Sequence, residues 1–269
     1  MSEPAPAPGR RRGLLLPAVL AAIGFAVLIS LGTWQLERKA WKEALIETLD
    51  ARLSAAPAPL PARETWTRLT PSEDEFRRVA FSAAFIPGSQ ALVYGAGSGL
   101  RGDLAGPGYW VFALARVTNG DLVVVNRGFT PEDRRDAKLE DTQNPAAIID
   151  MVGVMRWPEQ RSYFAAKDDP GRNLWFTRDH LAVAAAKGWL ERSGNVAPFF
   201  IDLESPTPPG GYPRAGPLQV RIRNEHLQYA ATWYALAAAV AVMYAIWLFN
   251  RRTAAASSLP CRSEHSPLC

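Results

Sequence analysis

The stretch RIRNEHLQYAATW, Arg221–Trp233, separates a polar part of the chain from an apolar one. Its charged residues end at Glu225, and Leu227–Phe249 is mainly apolar. A run of this length can cross a bilayer, which needs roughly 20 apolar residues. We therefore predict a transmembrane helix over residues 226–249, with His226 at the level where water meets lipid.

One face of this helix carries an imidazole, small residues and aromatic rings. The helical repeat brings together His226, Ala230, Trp233, Ala237 and Tyr244. Such a face could hold a large flat ligand, and it could equally pack as a seam against another helix. A neutral imidazole can ligate haem iron, and Tyr229 and Trp233 could pack against the macrocycle. Both aromatic residues are also common at membrane interfaces.

A second apolar run, Leu14–Thr33, follows three arginines near the N-terminus. It is longer than the apolar core of a typical signal peptide, and no clear cleavage site of small residues follows it. We predict a retained transmembrane helix over residues 14–34. A helical pattern and a Pro-rich linker then cover 35–62, and the polar residues 63–225 form a separate domain.

The two tails carry the whole net charge of the chain. Residues 1–13 and 250–269 hold six arginines against two glutamates, which equals the formal net charge of +4. Because an excess of Lys and Arg stays on the cytoplasmic side, we predict that both tails are cytoplasmic and that the middle domain faces the periplasm or an equivalent compartment. The bilayer is then a partner, whereas a nucleic acid is not, since it would need basic residues clustered on one domain face.

The middle domain has the pattern of short strands. We predict strands over Phe76–Ile86, Ala91–Tyr94, Tyr109–Val117, Leu122–Val125, Ile148–Trp157, Val196–Leu203 and 218–223. Asn119-Gly120 is typical of a hairpin turn, and Asp179 would cap a short helix over 178–187. Pro198 indicates an edge strand or the start of a strand.

These elements predict the fold class. It is a membrane protein of the α+β class, in which two transmembrane helices flank a mainly antiparallel β domain with one short helix. The β domain is expected to be barrel-like or sandwich-like.

Patterns for catalysis and metal binding are weak in this domain. The Gly-rich stretch 95–108 has no Gly-Lys-Ser/Thr sequence, so a phosphate loop is disfavoured. His180 has no nucleophile or ligand cluster near it in sequence, and we interpret it as a surface or cap residue. Cys261 and Cys269 lie in the C-terminal tail, so the domain has no thiolate for Cu(I). We expect neither an enzyme nor a copper carrier.

Four motifs follow one another in a specific order. They are Leu31-Gly32-Thr33-Trp34-Gln35, Val124-Val125-Asn126-Arg127-Gly128, Asn173-Leu174-Trp175-Phe176 with Ala197-Pro198-Phe199-Phe200-Ile201-Asp202, and Asn224-Glu225-His226-Leu227-Gln228-Tyr229-Ala230. From about Leu31 to Leu236 the chain resembles the surfeit-locus (Surf-one) family of cytochrome c oxidase assembly factors. It departs from the family pattern at Phe129-Thr130, where Trp and Val are usual.

The resemblance implies a function. It implies an assembly factor that assists insertion of haem a into, or maturation of, the catalytic subunit of cytochrome c oxidase, with haem a synthase as a further partner. It also implies that haem a is bound and that His226 holds its iron, with no residue acting as a catalyst. The family occupies bacterial or mitochondrial inner membranes, and the charged tails favour the bacterial inner membrane. The alternative is a scaffold that stabilises the nascent oxidase subunit without a cofactor.

Overall fold

The computed structural model describes residues 12–95, 104, 106–134, 147–190, 196–208, 210–218 and 224–256. In chain order the elements are α1 (Arg12–Ser54), β1 (Ala58–Pro59), α2 (Pro71–Asp74), β2 (Arg78–Gly95), β3 (Gly108–Val117), β4 (Leu122–Pro131), β5 (Ile149–Arg156), β6 (Leu174–Trp175), α3 (His180–Ala186), β7 (Val196–Ser205) and α4 (His226–Ala256). The chain divides into a helical unit, Met1–Leu45 with Arg223–Cys269, and a sheet unit, Ile46–Ile222.

Two long helices form the described part of the helical unit. Segments Leu15–Ser54 and His226–Thr253 are long and apolar enough to cross a membrane, with mean hydropathies of 2.4 and 1.7. Few residues of either segment are buried, so their apolar side chains face outward. Length and composition therefore agree with the two predicted spans. Helix α1 continues without a break past residue 34 to Ser54, in line with the helical pattern of the residues that follow the predicted span.

One mainly antiparallel sheet organises the sheet unit, as predicted. The pairings run β2-β3-β4-β7-β5, and β5 also pairs with β2. The β2–β3, β3–β4, β5–β7 and β2–β5 pairs are antiparallel, while β4 and β7 are parallel. The two-residue strands β1 and β6 each add a short parallel pairing to β2. The predicted domain boundaries at 63 and 225 stay a prediction.

Both faces of the central strands are buried. On β3, Phe112 and Leu114 belong to one apolar cluster, whereas Ala113 and Ala115 belong to another. Successive side chains of a strand point to opposite faces, so the strand supplies both clusters. Helix α3 contributes Val183 to the cluster that contains Phe112 and Leu114. The helix therefore shields this face of the strand from solvent.

The prediction of two strands before residue 95 was wrong. Pro87-Gly88 reads as a turn, yet β2 continues through it with a shift in register between Phe85 and Gln90. The Ser89 hydroxyl bridges the gap, because it accepts a hydrogen bond from the Leu114 N–H at 3.1 Å. A side chain here replaces the missing ladder contact, so the chain bulges instead of reversing.

Other details were confirmed or corrected. The hairpin turn at Asn119-Gly120 and the Asp179 cap are present. A second short helix, α2, was not predicted.

Strand β7 pairs on both sides and is not an edge strand. Pro198 is tolerated because it lies near the start of β7, inside a register irregularity of the β4 pairing and before the residues paired with β5. The predicted strand 218–223 and most of the loop 95–108 lie outside the described residues.

Candidate functional site

His226 is the first residue of α4, and its side chain is half-buried. Its Nδ1 lies 2.7 Å from Oε1 of Gln35 on α1. The two residues are 191 positions apart in the chain. Within the part of the chain that the structure describes, Nε2 of His226 has no hydrogen-bond partner. Among the described residues, one ring nitrogen is therefore engaged and the other has no partner.

A close contact between the two helices lies beside this pair. Gly32 on α1 packs under the ring of Tyr234 on α4, and a Cβ at Gly32 would lie 2.7 Å from the ring carbon Cε1. The hydroxyls of Thr33 and Tyr234 are 3.2 Å apart, within hydrogen-bonding distance. Gln35 follows Gly32 by three residues on the same helical face. The Gly32 contact therefore helps to set which residue of α1 meets His226.

The predicted stripe on α4 is mostly a seam. Ala230 and Ala237 are each 1% exposed, so no flat ligand can lie over them. Trp233 is half-buried and Tyr229 is 54% exposed. The structure thus places His226, Tyr229 and Trp233 on one side of the first two turns of α4. Their assignment to haem stays a prediction.

A second polar cluster lies inside the sheet unit. Asp202 of β7 accepts hydrogen bonds from Asn126 Nδ2 at 2.7 Å, from Arg178 Nη2 at 2.5 and 2.7 Å, and from Arg156 Nη1 at 3.1 Å. Arg156 also contacts Glu75 at 3.1 Å. Asp202, Asn126 and both arginines are buried. We call these four residues the Asp202 cluster.

The charges of the Asp202 cluster stabilise one another. Burial alone would raise the pKa of Asp202, but Arg178 and Arg156 outweigh it, and the pKa lies below its ordinary value. Burial alone would likewise lower the pKa of Arg178, but Asp202 and Glu159 hold it above its ordinary value. The carboxylate therefore stays ionised and acts as a structural acceptor, not as a proton donor.

The Asn126-Arg127-Gly128 motif also serves the fold. Gly128 has φ of +124°, and a Cβ there would overlap the backbone carbonyl of Arg214. The Arg127 guanidinium lies 4.5 Å from the centre of the Phe85 ring. Only glycine fits at position 128, because the backbone angle and the lack of space there both exclude a side chain.

His180 is a buried residue and not the surface or cap residue that the sequence suggested. Its ring is fully buried against Phe200, and its Nε2–H donates to the Ala197 carbonyl at 3.0 Å. Burial lowers the pKa of His180 to about 4, so the ring is neutral in the folded chain. The spacing of His180, Val183 and Ala184 on one helical face could have revealed this burial.

Gln35 is the residue of the candidate site to which the sequence assigned no role. It stands in the first motif, and no local pattern connects it with a histidine near the other end of the chain. The described residues contain no group of three or more His, Cys, Asp or Glu side chains that could hold a metal ion.

Comparisons with known proteins agree with the motifs. A model of the SURF1 family matches residues 22–238. A SURF1-like protein of Monosiga brevicollis is 33% identical over 254 residues, covering 91% of each chain. Surfeit locus protein 1 of Rattus norvegicus is 32% identical over 85% of this chain and 74% of its own length. The Homo sapiens protein of the same name is 32% identical over 80% of this chain and 71% of its own length.

These relatives correct one prediction. Proteins from Rattus norvegicus and Homo sapiens are animal proteins, and they contradict the assignment to a bacterial membrane. That assignment rested on the charge of the tails. Tail charge orients spans within a membrane but does not say which membrane it is.

The matched region includes all four sequence motifs, together with Gln35 and His226. The family model covers most of the chain, and the relatives exceed 30% identity over most of their own length. The chain belongs to the SURF1 family.

Proposed function

We propose that this protein assists assembly of cytochrome c oxidase by holding haem a through His226. Membership of the SURF1 family implies a role in cytochrome c oxidase assembly. The observation that supports haem is the His226 ring, which is half-buried at the polar end of an apolar helix and has an unpartnered Nε2 among the described residues.

The donor set at His226 suits haem better than a bare metal ion. A structural zinc site needs four ligands, and a catalytic one takes three from the protein. Haem iron already has four porphyrin nitrogens, so one imidazole can hold it from one side. Haem a would be the cargo of this protein, and the imidazole of His226 would hold it through its iron.

Tyr229 and Trp233 would pack against the macrocycle. Tyr229 lies one helical turn beyond His226 and is largely exposed, so its ring is available to a ligand. Trp233 lies a further turn along and is half-buried. Ala230 belongs to the helix seam and is excluded. The contact surface for haem is therefore the side of α4 that carries His226, Tyr229 and Trp233.

The surroundings of the site complete the proposal. Both apolar helices span a membrane, both termini lie on one side of it, and residues 63–225 lie on the other. The circuit of five strands in the sheet unit would form a small barrel. Partners would be the catalytic subunit of the oxidase, which receives haem a, and haem a synthase, which supplies it.

Absorbance spectroscopy tests the proposal. The protein is purified from cells that make haem a, and the Soret absorbance is compared with that of His226→Ala at equal protein concentration. His226→Ala should lose most of the signal. Leu227→Ala is the matched control, because Leu227 is the exposed neighbour and should leave the signal intact. An unchanged spectrum for His226→Ala would remove this residue from the site.

A scaffold without a cofactor is the second candidate function. It is favoured by the burial of Ala230 and Ala237, which gives the α4 stripe a packing role that needs no ligand. In that case the pure wild-type protein would be colourless and would still co-purify with the oxidase catalytic subunit.

A further inference from the structure

We infer that Gln35 is a positioning residue, which sets the tautomer of His226 and directs Nε2 toward haem iron. This inference rests on the proposed function. It begins from the 2.7 Å contact between Gln35 Oε1 and His226 Nδ1.

The contact determines where the proton lies. An amide oxygen can only accept a hydrogen bond, so Nδ1 must be the donor. A neutral imidazole has a single N–H, and placing it on Nδ1 leaves the lone pair on Nε2. Nε2 is the ring nitrogen without a partner among the described residues. Gln35 thus selects the tautomer that a metal at Nε2 requires.

The helices hold Gln35 in place for this role. The Gly32–Tyr234 contact and the Thr33–Tyr234 hydroxyl pair lie within one turn of Gln35 on α1. The hydrogen bond itself is half-buried, which strengthens it relative to one in water. Metal-ligating histidines typically donate the other N–H to an oxygen that orients the ring and raises its basicity. Here a glutamine amide supplies that oxygen.

Nitrogen NMR of the protein without haem tests the tautomer directly. The chain has three histidines, and a His226→Ala spectrum identifies the ring signals of His226. At alkaline pH the wild-type ring should be the Nδ1–H tautomer. Gln35→Leu removes the acceptor and should populate the Nε2–H tautomer, while Gln35→Glu should restore the wild-type state. A wild-type ring in the Nε2–H form would overturn the inference.

Haem titration tests the consequence for binding. Gln35→Leu should weaken haem a binding by about tenfold or more, and it should raise the reduction potential of the bound haem because the ring donates less electron density. Gln35→Glu should recover the affinity and lower the potential. Gln228→Leu is the control, because Gln228 is an exposed glutamine on α4 and should change neither quantity.

Comparing the His226 and Gln35 variants distinguishes failure of the inference from failure of the proposed function. If His226→Ala abolishes binding but Gln35→Leu behaves like Gln228→Leu, the role of Gln35 is overturned and the proposed function stands. If the wild-type chain binds no haem a, the proposed function fails and the inference fails with it, whatever tautomer the ring adopts.

Discussion

The Asp202 cluster and the Gln35–His226 pair use polar side chains in opposite ways. In the sheet unit, Asp202 is buried, charged and surrounded by donors. In the helical unit, His226 is half-buried, makes one hydrogen bond and keeps a ring nitrogen unpartnered among the described residues. Complete pairing makes the first group a support for the fold. Incomplete pairing leaves the second available for a ligand.

The largest loss of stability should come from Asp202→Ala. It leaves Arg178 and Arg156 buried without their central carboxylate, which should lower the free energy of unfolding by about 3–5 kcal/mol. Denaturant unfolding of the full-length chain in detergent measures this change. Asp150→Ala is the control, because Asp150 is an exposed carboxylate that, among the described residues, accepts only from Ser82 at 2.6 Å, and its loss should cost about 1 kcal/mol or less. Equal losses would show that the Asp202 cluster does not support the fold.

The next largest effect should be a loss of stability in acid through His180. Its folded pKa of about 4 lies below the ordinary value of 6.5, so the unfolded chain binds the proton first as the pH falls. Stability from this group is therefore complete above pH 6.5 and is lost on the way down to about pH 4, by about 3 kcal/mol. Unfolding midpoints measured across this range should fall less steeply for His180→Gln.

The matched control for this prediction is Gln228→Leu, which removes from the other region an exposed side chain that does not titrate. It should retain the wild-type slope between these pH values. If His180→Gln keeps that slope too, His180 is not the group that titrates on unfolding.

A smaller difference in stability is expected between two glycine variants. Gly128→Ala introduces a side chain at φ of +124° that overlaps Arg214, whereas Gly88→Ala at φ of +70° meets no atom within 4 Å. The first variant bears steric overlap in addition to backbone strain, so it should be less stable than the second by about 2 kcal/mol. Thermal unfolding measures the difference. Similar melting temperatures would mean that the Arg214 segment moves away without cost.

The smallest losses of stability should come from substitutions in the candidate site. His226→Ala and Gln35→Leu each remove one half-buried hydrogen bond, which should cost about 1 kcal/mol or less. The same denaturant experiment measures this. A loss as large as that of Asp202→Ala would assign His226 to the fold and would erase the contrast between the two regions.

Sequence reasoning succeeded where a few neighbouring residues decide the outcome. Asn119-Gly120 fixes its own turn, Asp179 caps the helix that follows it, and the two apolar runs are long enough to be recognised. It failed where a distant residue decides. Pro87-Gly88 does not reverse the chain, because Ser89 meets Leu114, which lies 25 positions away.

For the candidate site, sequence reasoning likewise succeeded with one residue and failed with the other. His226 could be singled out because a lone imidazole stands at the boundary of an apolar run. Its partner could not be found, because Gln35 meets it only after the two helices pair. The burial of Ala230 and Ala237 likewise depends on what packs against them, and periodicity alone left both interpretations of that face open.

The hydrogen bond between Gln35 and His226 has a consequence during synthesis. Translation produces the glutamine early and the histidine only after the whole sheet unit has been made. A truncated or unfinished polypeptide presents the amide with no imidazole to orient. Under the proposed function, only chains that have been synthesised as far as the second apolar helix can bind haem a.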